Sequence, residues 1–214
     1  MVDGPMNLSA ATRTNLLALQ STSDKIATVQ GRLSTGLKVS SALDNAISYF
    51  QARALNDRAS DLMNLKDSID QGVSSVETAI NGLDSIGKLV AQMKGLAMAA
   101  KSNSNKEDRS RSASQFNDLR QQLDNLANDS SYKGSNLIKG SPANLKVSFS
   151  EDGSSTLTVS GIASDSSGLS IVTATTNWVN DVNIENAIND LDSALSTLRS
   201  SGATMGSNAA VLSL

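Results

Sequence analysis

The residues of this chain that could do chemistry are its carboxylates. Asp57 with Asp61, and Glu77 with Asp84, are the pairs that could serve acid–base catalysis or metal binding. The chain has no histidine and no cysteine, so the commonest general base and the usual transition-metal ligands are absent. A basic neighbour such as Arg58 is typical of a solvated helix face. We therefore predict no enzyme activity, no metal site and no cofactor.

A further acidic pair, Glu151 and Asp152, comes directly before Gly153. The oxygen ligands of a calcium loop are spread over about twelve residues, and this segment lacks that spacing. An Asp-Gly step between two alternating segments is instead a strong signal for a β-hairpin turn. Residues 145–149 and 157–159 alternate apolar and polar side chains and are the two predicted strands.

Composition limits the classes of protein and partner. Of 214 residues, 39% are hydrophobic but only 3% are aromatic, which suits helices that meet along narrow seams. There are 18 basic and 21 acidic residues, a net charge of -3 and no basic run, so we expect no nucleic-acid partner. No apolar run approaches the roughly 20 residues that span a bilayer, so we expect no membrane partner. The N-terminus lacks the pattern of a cleaved secretory signal, and residues 1–5 are interpreted as a remnant of cloning.

The N-terminal part of the chain is predicted to be one amphipathic helix over residues 8–37. Ser9 and Thr12 are alternative N-caps, and the sequence does not choose between them. Apolar residues recur in steps of three and four, the pattern of a helix that packs against another helix. This seam is formed by Leu16, Leu19, Ile26, Leu33 and Leu37.

A second and longer helix is predicted over about residues 45–100, with an apolar seam from residue 62 to residue 97. Glycine inside a helix costs about 1 kcal/mol relative to alanine. Either close contact between helices or tolerated weakness could explain the glycines, and the sequence leaves both open. They are Gly72, Gly82, Gly87 and Gly95.

The rest of the chain adds two helices and a small β unit. Ser104 and Glu107 form a predicted capping box that begins the third helix, which ends near residue 128. Residues 169–176 are rich in β-branched side chains and are predicted to form one more short strand. Trp178, the only tryptophan, is expected to anchor the β unit on the helices. The last helix begins near residue 183.

Residues 32–46, RLSTGLKVSSALDNA, join the first two helices. Gly36 and the pair Ser40-Ser41 interrupt the helical pattern, so we predict a bend there. The seams on either side could form the core of one bundle or an interface between chains. The N-terminal seam lacks a full-length partner in this chain, and an exposed apolar stripe invites another chain.

The same residues 32–46 resemble the N-terminal signature of bacterial flagellins, usually written RLSSGLRINSAKDDAA. Leu43 stands where that family commonly has a charged residue, and Asn45 stands where an acidic residue is common. The long seam, the turn at residues 102–105 and the run Tyr132-Lys133-Gly134 also match flagellins in order and spacing. The resemblance covers residues 8–140 and is weaker from residue 183 onward.

The resemblance implies a mainly α fold: an elongated rod of long coiled-coil-like helices with a small β-hairpin subdomain. It assigns an N-terminal inner-tube helix to residues 6–31 and a connector to residues 32–46, with Arg32, Leu33, Ser34, Gly36 and Asp44 as connector residues. The later segments are an outer α-helical domain at residues 47–140, a β-hairpin with a Ser/Thr-rich variable region at 141–182, and a C-terminal helix at 183–214. We expect that last helix to be truncated relative to the family.

In function, the resemblance implies a structural subunit of the bacterial flagellar filament that self-assembles through its N- and C-terminal helices for motility. Its implied partners are other flagellin subunits and the flagellar type III export apparatus, with an export chaperone as a further candidate. Its implied location is the extracellular flagellum, reached without a cleaved signal peptide. A hook–filament junction protein of the flagellin-like family is the alternative. Flagellin-like proteases need a His-Glu-x-x-His helix, which a chain without histidine excludes.

Two further expectations come from the resemblance. The segment that the vertebrate innate-immune flagellin receptor recognises typically carries two arginines and a glutamate. Here the corresponding residues are degenerate, and they are Gln92, Lys94, Leu96 and Gln115. Second, the variable region of flagellins can carry O-linked sugars, and a predicted exposed patch of hydroxyl side chains lies there: Ser154, Ser155, Ser164, Ser166, Ser167, Thr173, Thr175 and Thr176.

Overall fold

The computed structural model describes residues 9–213, so the predicted cloning remnant lies outside the described residues. Its α-helices are α1 (Ala10–Thr35), α2 (Ala46–Ser102), α3 (Lys106–Asp129) and α4 (Asp181–Leu212). Its strands are β1 (Leu145–Ser148) and β2 (Thr156–Val159), and a single 3-10 turn covers Thr176–Trp178. The predicted mainly α fold with a small β-hairpin is therefore confirmed. The chain divides into two compact units, of which the first ends at Asp61 and the second begins at Leu62.

The first unit contains α1 and the beginning of α2. Ser9 is the N-cap of α1, since its side-chain oxygen accepts a hydrogen bond from the N–H of Thr12 at 3.3 Å. The helix ends at Thr35, and Gly36 follows in the left-handed conformation with φ of 67°. Glycine adopts that conformation without the clash that a side chain would bring, so it stops the helix.

The second unit is built on the later part of α2 together with α3 and α4. Its core is aliphatic with two large aromatic side chains, Phe116 and Trp178, as the low aromatic content predicts. Ion pairs define how α4 runs along α2: Lys101 pairs with Glu185 at 3.4 Å, and Lys94 pairs with Asp192. From the first pair to the second, the residue number falls on α2 and rises on α4, so the two helices are antiparallel.

The capping box predicted at Ser104 and Glu107 is wrong. Asn105 is the N-cap of α3, and its side-chain oxygen accepts a hydrogen bond from the N–H of Glu107 at 2.9 Å. The N–H of Asn105 itself donates to the side chain of Asn103 at 2.9 Å. The two asparagines order the turn between α2 and α3, and a short polar side chain beside the predicted position takes the capping role.

The glycines of α2 have two different explanations. A Cβ on Gly72 would lie 2.7 Å from Val147 Cγ2, and one on Gly82 would lie 2.6 Å from Ile138 Cδ1. At those two positions glycine lets the β-hairpin and the loop before it approach the helix closely. A Cβ on Gly87 or Gly95 would meet no atom within 4 Å, so close contact does not explain them.

The predicted hairpin is confirmed, whereas the further strand predicted at residues 169–176 is wrong. β1 and β2 pair antiparallel, with Leu145 opposite Val159 and Val147 opposite Leu157. Residues 169–175 contain no strand. They run along α3, and side chains of that helix form hydrogen bonds with their backbone. Hydrogen bonds from residues about fifty positions earlier thus override the β propensity of the segment.

Trp178 lies where the chain turns from this loop into α4. Its side chain is fully buried, and its ring centroid lies 5.0 Å from that of Phe116 on α3. Such a pair of large rings contributes more than its buried area alone. The interpretation of Trp178 as an anchor between the loop region and the helices agrees with this placement.

Candidate assembly surface and connector

An exposed apolar surface extends along α1. No residue of α1 is buried, and the exposed fraction of its apolar side chains runs from 50% at Leu16 to 84% at Leu33. All five residues of the predicted seam are exposed: Leu16, Leu19, Ile26, Leu33 and Leu37. Leu37 lies beyond the end of α1, in the connector, so we call the four side chains on the helix, Leu16, Leu19, Ile26 and Leu33, the α1 stripe. Water contact at a continuous row of aliphatic side chains is unfavourable, so this row is a candidate for contact with another helix.

The beginning of α2 carries apolar side chains that the sequence reasoning missed. Ile47, Phe50, Leu55, Leu62 and Met63 are all exposed, and no residue before Gly72 on this helix is buried. The predicted seam began only at residue 62. Extending the helical periodicity backward through Ile47 and Phe50 would have found the rest of this surface.

The connector between α1 and α2 is shorter than residues 32–46, because Arg32, Leu33 and Ser34 belong to the last turn of α1. Its non-helical part is residues 36–45. Asp44 organises that part: one carboxylate oxygen accepts hydrogen bonds from the N–H of Ser40 at 3.1 Å, from the Ser40 hydroxyl at 3.0 Å and from the N–H of Ser41 at 3.2 Å. The connector is therefore an ordered turn with Asp44 at its centre.

The start of α2 is fixed next to this turn. The side-chain oxygen of Asn45 accepts a hydrogen bond from the N–H of Ser48 at 3.0 Å, which makes Asn45 a cap for the helix. Asp44 thus stabilises the turn, and the next residue, Asn45, caps the helix. The acidic residue that is common at position 45 in the family could cap in the same way.

The electrostatics of the connector follow from these hydrogen bonds. The N–H and hydroxyl of Ser40 and the N–H of Ser41 favour the ionised carboxylate, and they hold the pKa of Asp44 below its ordinary value. The positive charge of Arg32 acts in the same direction. Asp44 is consequently a carboxylate at neutral pH, and the turn is fully formed there.

The degenerate receptor segment divides between two surfaces. Gln92, Leu96 and Gln115 line one cleft between α2 and α3. Lys94 does not belong to that cleft, since its ammonium group pairs with Asp192 on α4. The structure therefore brings three of the four predicted residues together, and it places the only basic residue on a different side of α2.

The predicted patch of hydroxyl side chains is exposed only in part. Ser164 and Ser166 are buried, so their assignment to an exposed patch is wrong. Ser166 is buried because Asp124 on α3 accepts hydrogen bonds from both its N–H and its hydroxyl. The other members remain on the surface: Ser154, Ser155, Ser167, Thr173, Thr175 and Thr176.

The carboxylate pairs Asp57 with Asp61 and Glu77 with Asp84 lie on the surface. Asp57 and Asp84 form helical ion pairs with Arg53 at 4.0 Å and with Lys88 at 3.6 Å, and all four side chains are well exposed. Such pairs contribute little to stability. Within residues 9–213 no group of three or more acidic side chains could hold a metal ion. The helices in that part of the chain are also too short or too polar to cross a membrane.

Comparison with known proteins gives the family. The family model of the bacterial flagellin N-terminal helical region matches residues 6–143. Flagellin FljK of Caulobacter vibrioides is 29% identical over 204 residues, which are 95% of this chain and 74% of that protein. Flagellin FljM of the same organism is 30% identical over 203 residues, 90% of this chain and 71% of its own length. Flagellin A of Rhizobium meliloti is 29% identical over 67% of this chain and 38% of its own length.

Among solved structures, the crystal structure of Bacillus cereus flagellin matches with a TM-score of 0.59 and 22% sequence identity. The match covers 68% of this chain and 84% of the other. At that identity the match supports the fold.

Long amphipathic helices, a small hairpin and an unpaired apolar stripe define the class, a helical structural protein that assembles with copies of itself. The chain belongs to the bacterial flagellin family. It is a structural subunit of the flagellar filament, and its assembly partners are other flagellin subunits.

Proposed function

We propose that this flagellin subunit assembles through the α1 stripe and the exposed apolar side chains at the beginning of α2. One observation carries the proposal: α1 has a regular apolar seam and yet buries none of its residues within the chain. Isolated helices gain little stability in water, so a long amphipathic helix needs a packing partner. In a filament that partner is supplied by a neighbouring subunit.

Each segment of the chain would have its own role in the filament. Residues 6–31 would belong to the inner-tube helix, and residues 32–46 would contain the connector, whose non-helical part is residues 36–45. Residues 47–140 would form the first part of the outer domain. The variable region would be residues 141–182 and the C-terminal helix residues 183–214. The connector would join α1 to the beginning of α2 through a turn that the hydrogen bonds of Asp44 hold.

The remaining parts of the proposal concern chemistry and cellular location. The protein would act without catalysis, and in support of this Asp57 and Asp84 are exposed and paired with Arg53 and Lys88. It would reach the extracellular flagellum through the flagellar export apparatus without a cleaved signal peptide, with an export chaperone as a further partner. Expression in a strain that lacks a working export apparatus should leave the subunit inside the cell, and secretion in that strain would contradict this route.

The assembly proposal is tested with charge placed on the stripe. The double variant Leu19→Asp with Ile26→Asp should abolish filaments in a cell that makes only this flagellin, as counted by electron microscopy. Ser21→Asp with Thr28→Asp adds the same charge on the opposite face of α1 and should leave filaments in place. Filaments in the first variant, or equal loss in both, would contradict the proposal.

We further propose that this protein is a poor agonist of the vertebrate innate-immune flagellin receptor. Gln92 and Gln115 place neutral amides in a cleft whose only charged lining residue within residues 9–213 is Asp118, where the family resemblance implies arginine and glutamate side chains. Lys94 is engaged by Asp192 and lies outside that cleft. In a receptor reporter-cell assay, the double variant Gln92→Arg with Gln115→Glu should be at least tenfold more potent than the parent. Full potency of the parent chain would contradict the proposal.

A further inference from the structure

A second cleft, with a volume of 620 Å³, lies beside α3 where the loop of residues 166–175 passes. Its only charged lining residue is Arg120. Ile171 and Val172 supply its apolar part, and hydroxyl groups supply the rest. The hydroxyl-bearing residues are Ser166, Ser167, Ser170, Thr173 and Thr175.

Hydrogen bonds from one face of α3 hold this loop in place. Asp124 accepts from the N–H of Ser166 at 2.7 Å and from its hydroxyl at 2.9 Å. Asn117 accepts from the N–H of Ala174 at 2.9 Å and donates to its carbonyl at 3.3 Å. Between them, Arg120 donates from Nε to the carbonyl of Ile171 at 3.0 Å. The walls of the cleft are therefore formed before any ligand arrives, which reduces the entropy lost on binding.

Arg120 uses only part of its donor capacity in these contacts. Its Nε is engaged by Ile171, while within residues 9–213 its two Nη groups make no hydrogen bond and no ion pair. A guanidinium group held at Nε presents the two Nη groups as a rigid fork, which fits the paired oxygens of a carboxylate or a phosphate.

Two acidic residues that contact the segments around the cleft, Asp124 and Asp165, have other hydrogen-bond partners. Both carboxylate oxygens of Asp124 accept hydrogen bonds from Ser166. Asp165 accepts a hydrogen bond from the N–H of Gly168 at 2.8 Å, and its other oxygen faces Gly140. Neither carboxylate lines the cleft. The cleft thus combines one cation with several groups that can donate or accept a hydrogen bond.

We propose that the Arg120 cleft is a binding site for an oxyanion, a carboxylate or a phosphate, carried by a hydroxyl-rich ligand. The guanidinium of Arg120 takes the oxyanion. The side chains of Ser167, Ser170 and Thr173 exchange hydrogen bonds with hydroxyl groups of the same ligand. This site shares no residue with the α1 stripe, so it does not depend on the assembly proposal.

The test follows backbone amide shifts by NMR while inorganic phosphate, glucuronate or glucose is added at constant ionic strength. Phosphate and glucuronate should give saturable shifts in residues 166–175, with glucuronate bound more tightly because it also carries hydroxyl groups. Glucose, which lacks the carboxylate, should give none. Absence of saturable shifts with both anions, or equal shifts with glucose, would overturn the proposal.

Variants of Arg120 separate binding from a structural role. Arg120→Gln keeps a donor near the Ile171 carbonyl and removes the charge, and it should weaken glucuronate binding at least tenfold. Arg120→Lys keeps the charge without the fork, and its affinity for glucuronate should lie between those of the parent and Arg120→Gln. Lys88→Gln makes the same charge change at an exposed site on α2 and should bind within twofold of the parent. Unchanged Trp178 fluorescence confirms the fold of each variant.

Two outcomes of the variant series would overturn the proposal. If Lys88→Gln weakens binding as much as Arg120→Gln does, only the net charge of the protein matters. If the loss of binding in Arg120→Gln is accompanied by displaced amide resonances of residues 166–175 in the free protein, Arg120 acts by holding the loop.

Discussion

At the scale of single residues, Asp44 shows how a surface carboxylate can order a turn. It has no buried neighbours to hold it, and its effect comes from three hydrogen bonds with Ser40 and Ser41. Because these bonds are made by the ionised form, they lower the pKa of Asp44. The order that they give is complete above the ordinary pKa of an aspartate and is lost as the pH falls through the lowered value.

The pH dependence of the connector follows from that pKa. The amide resonances of Ser40 and Ser41 should titrate with a midpoint below 3.8, the ordinary value for Asp44. Asp44→Asn should remove this titration and give, at neutral pH, the shifts that the parent shows in acid. The measurement is a series of NMR spectra between pH 2 and pH 7. A midpoint at or above 3.8, or the same titration in Asp44→Asn, would contradict the role given to Asp44.

Not every residue role could be read from the sequence. Gly36 and Asp44 were predicted as parts of the connector from the family signature, but the hydrogen bonds that join Asp44 to Ser40 and Ser41 were not. Ser166 looked like an exposed loop residue because nothing in its neighbourhood points to Asp124, which is 42 positions away in sequence. Lys94 looked like part of the receptor segment, yet its partner Asp192 is 98 positions away. Local patterns do not contain such pairings.

At the scale of the elements, some glycines of α2 are required by close packing, whereas others only lower the stability of the helix. Gly82 faces the fully buried Ile138, and a methyl group there would also lie 2.7 Å from the hydroxyl oxygen of Ser130. Gly87 faces open space on the same helix. The two positions share a helix and a residue type, and they differ in what surrounds them.

Alanine at the two glycines should therefore have opposite effects on stability. Gly87→Ala should raise the free energy of unfolding by up to about 1 kcal/mol, since alanine is the better helix former. Gly82→Ala should lower it by about 1–3 kcal/mol, because the added methyl group overpacks the contact with Ile138. Urea unfolding followed by Trp178 fluorescence measures both. Destabilisation by Gly87→Ala, or stabilisation by Gly82→Ala, would show that the helix is packed differently.

The elements themselves were largely predictable. Helical and alternating periodicities are properties of consecutive residues, so α1, α2 and the β1–β2 hairpin follow from them. The error at residues 169–176 has a different origin. Those residues have strand propensity, but Asn117 and Arg120 bind their backbone in place of a neighbouring strand. The helix cap was misplaced by one residue because Ser104 and Asn105 both suit the position.

At the scale of the whole molecule, burial is distributed unevenly along the chain. No residue between positions 9 and 71 is buried, whereas the core of the second unit includes residues from α2, α3, both strands and α4. Each of these helices has the composition of an amphipathic helix. The difference is that the second unit buries a core of its own, whereas the described part of the first unit, residues 9–61, buries no residue. This asymmetry is expected of a subunit that completes its packing only in the assembled filament.

Hydrogen exchange read by mass spectrometry tests that account most directly. In dilute solution, the amides of residues 16–37 should exchange rapidly, because α1 buries none of its residues in the described part of the chain, residues 9–213. Those of residues 76–100 should be strongly protected. In the assembled filament both segments should be protected. Slow exchange across residues 16–37 that does not change with protein concentration would contradict the account, because it would show that α1 is stable without another subunit.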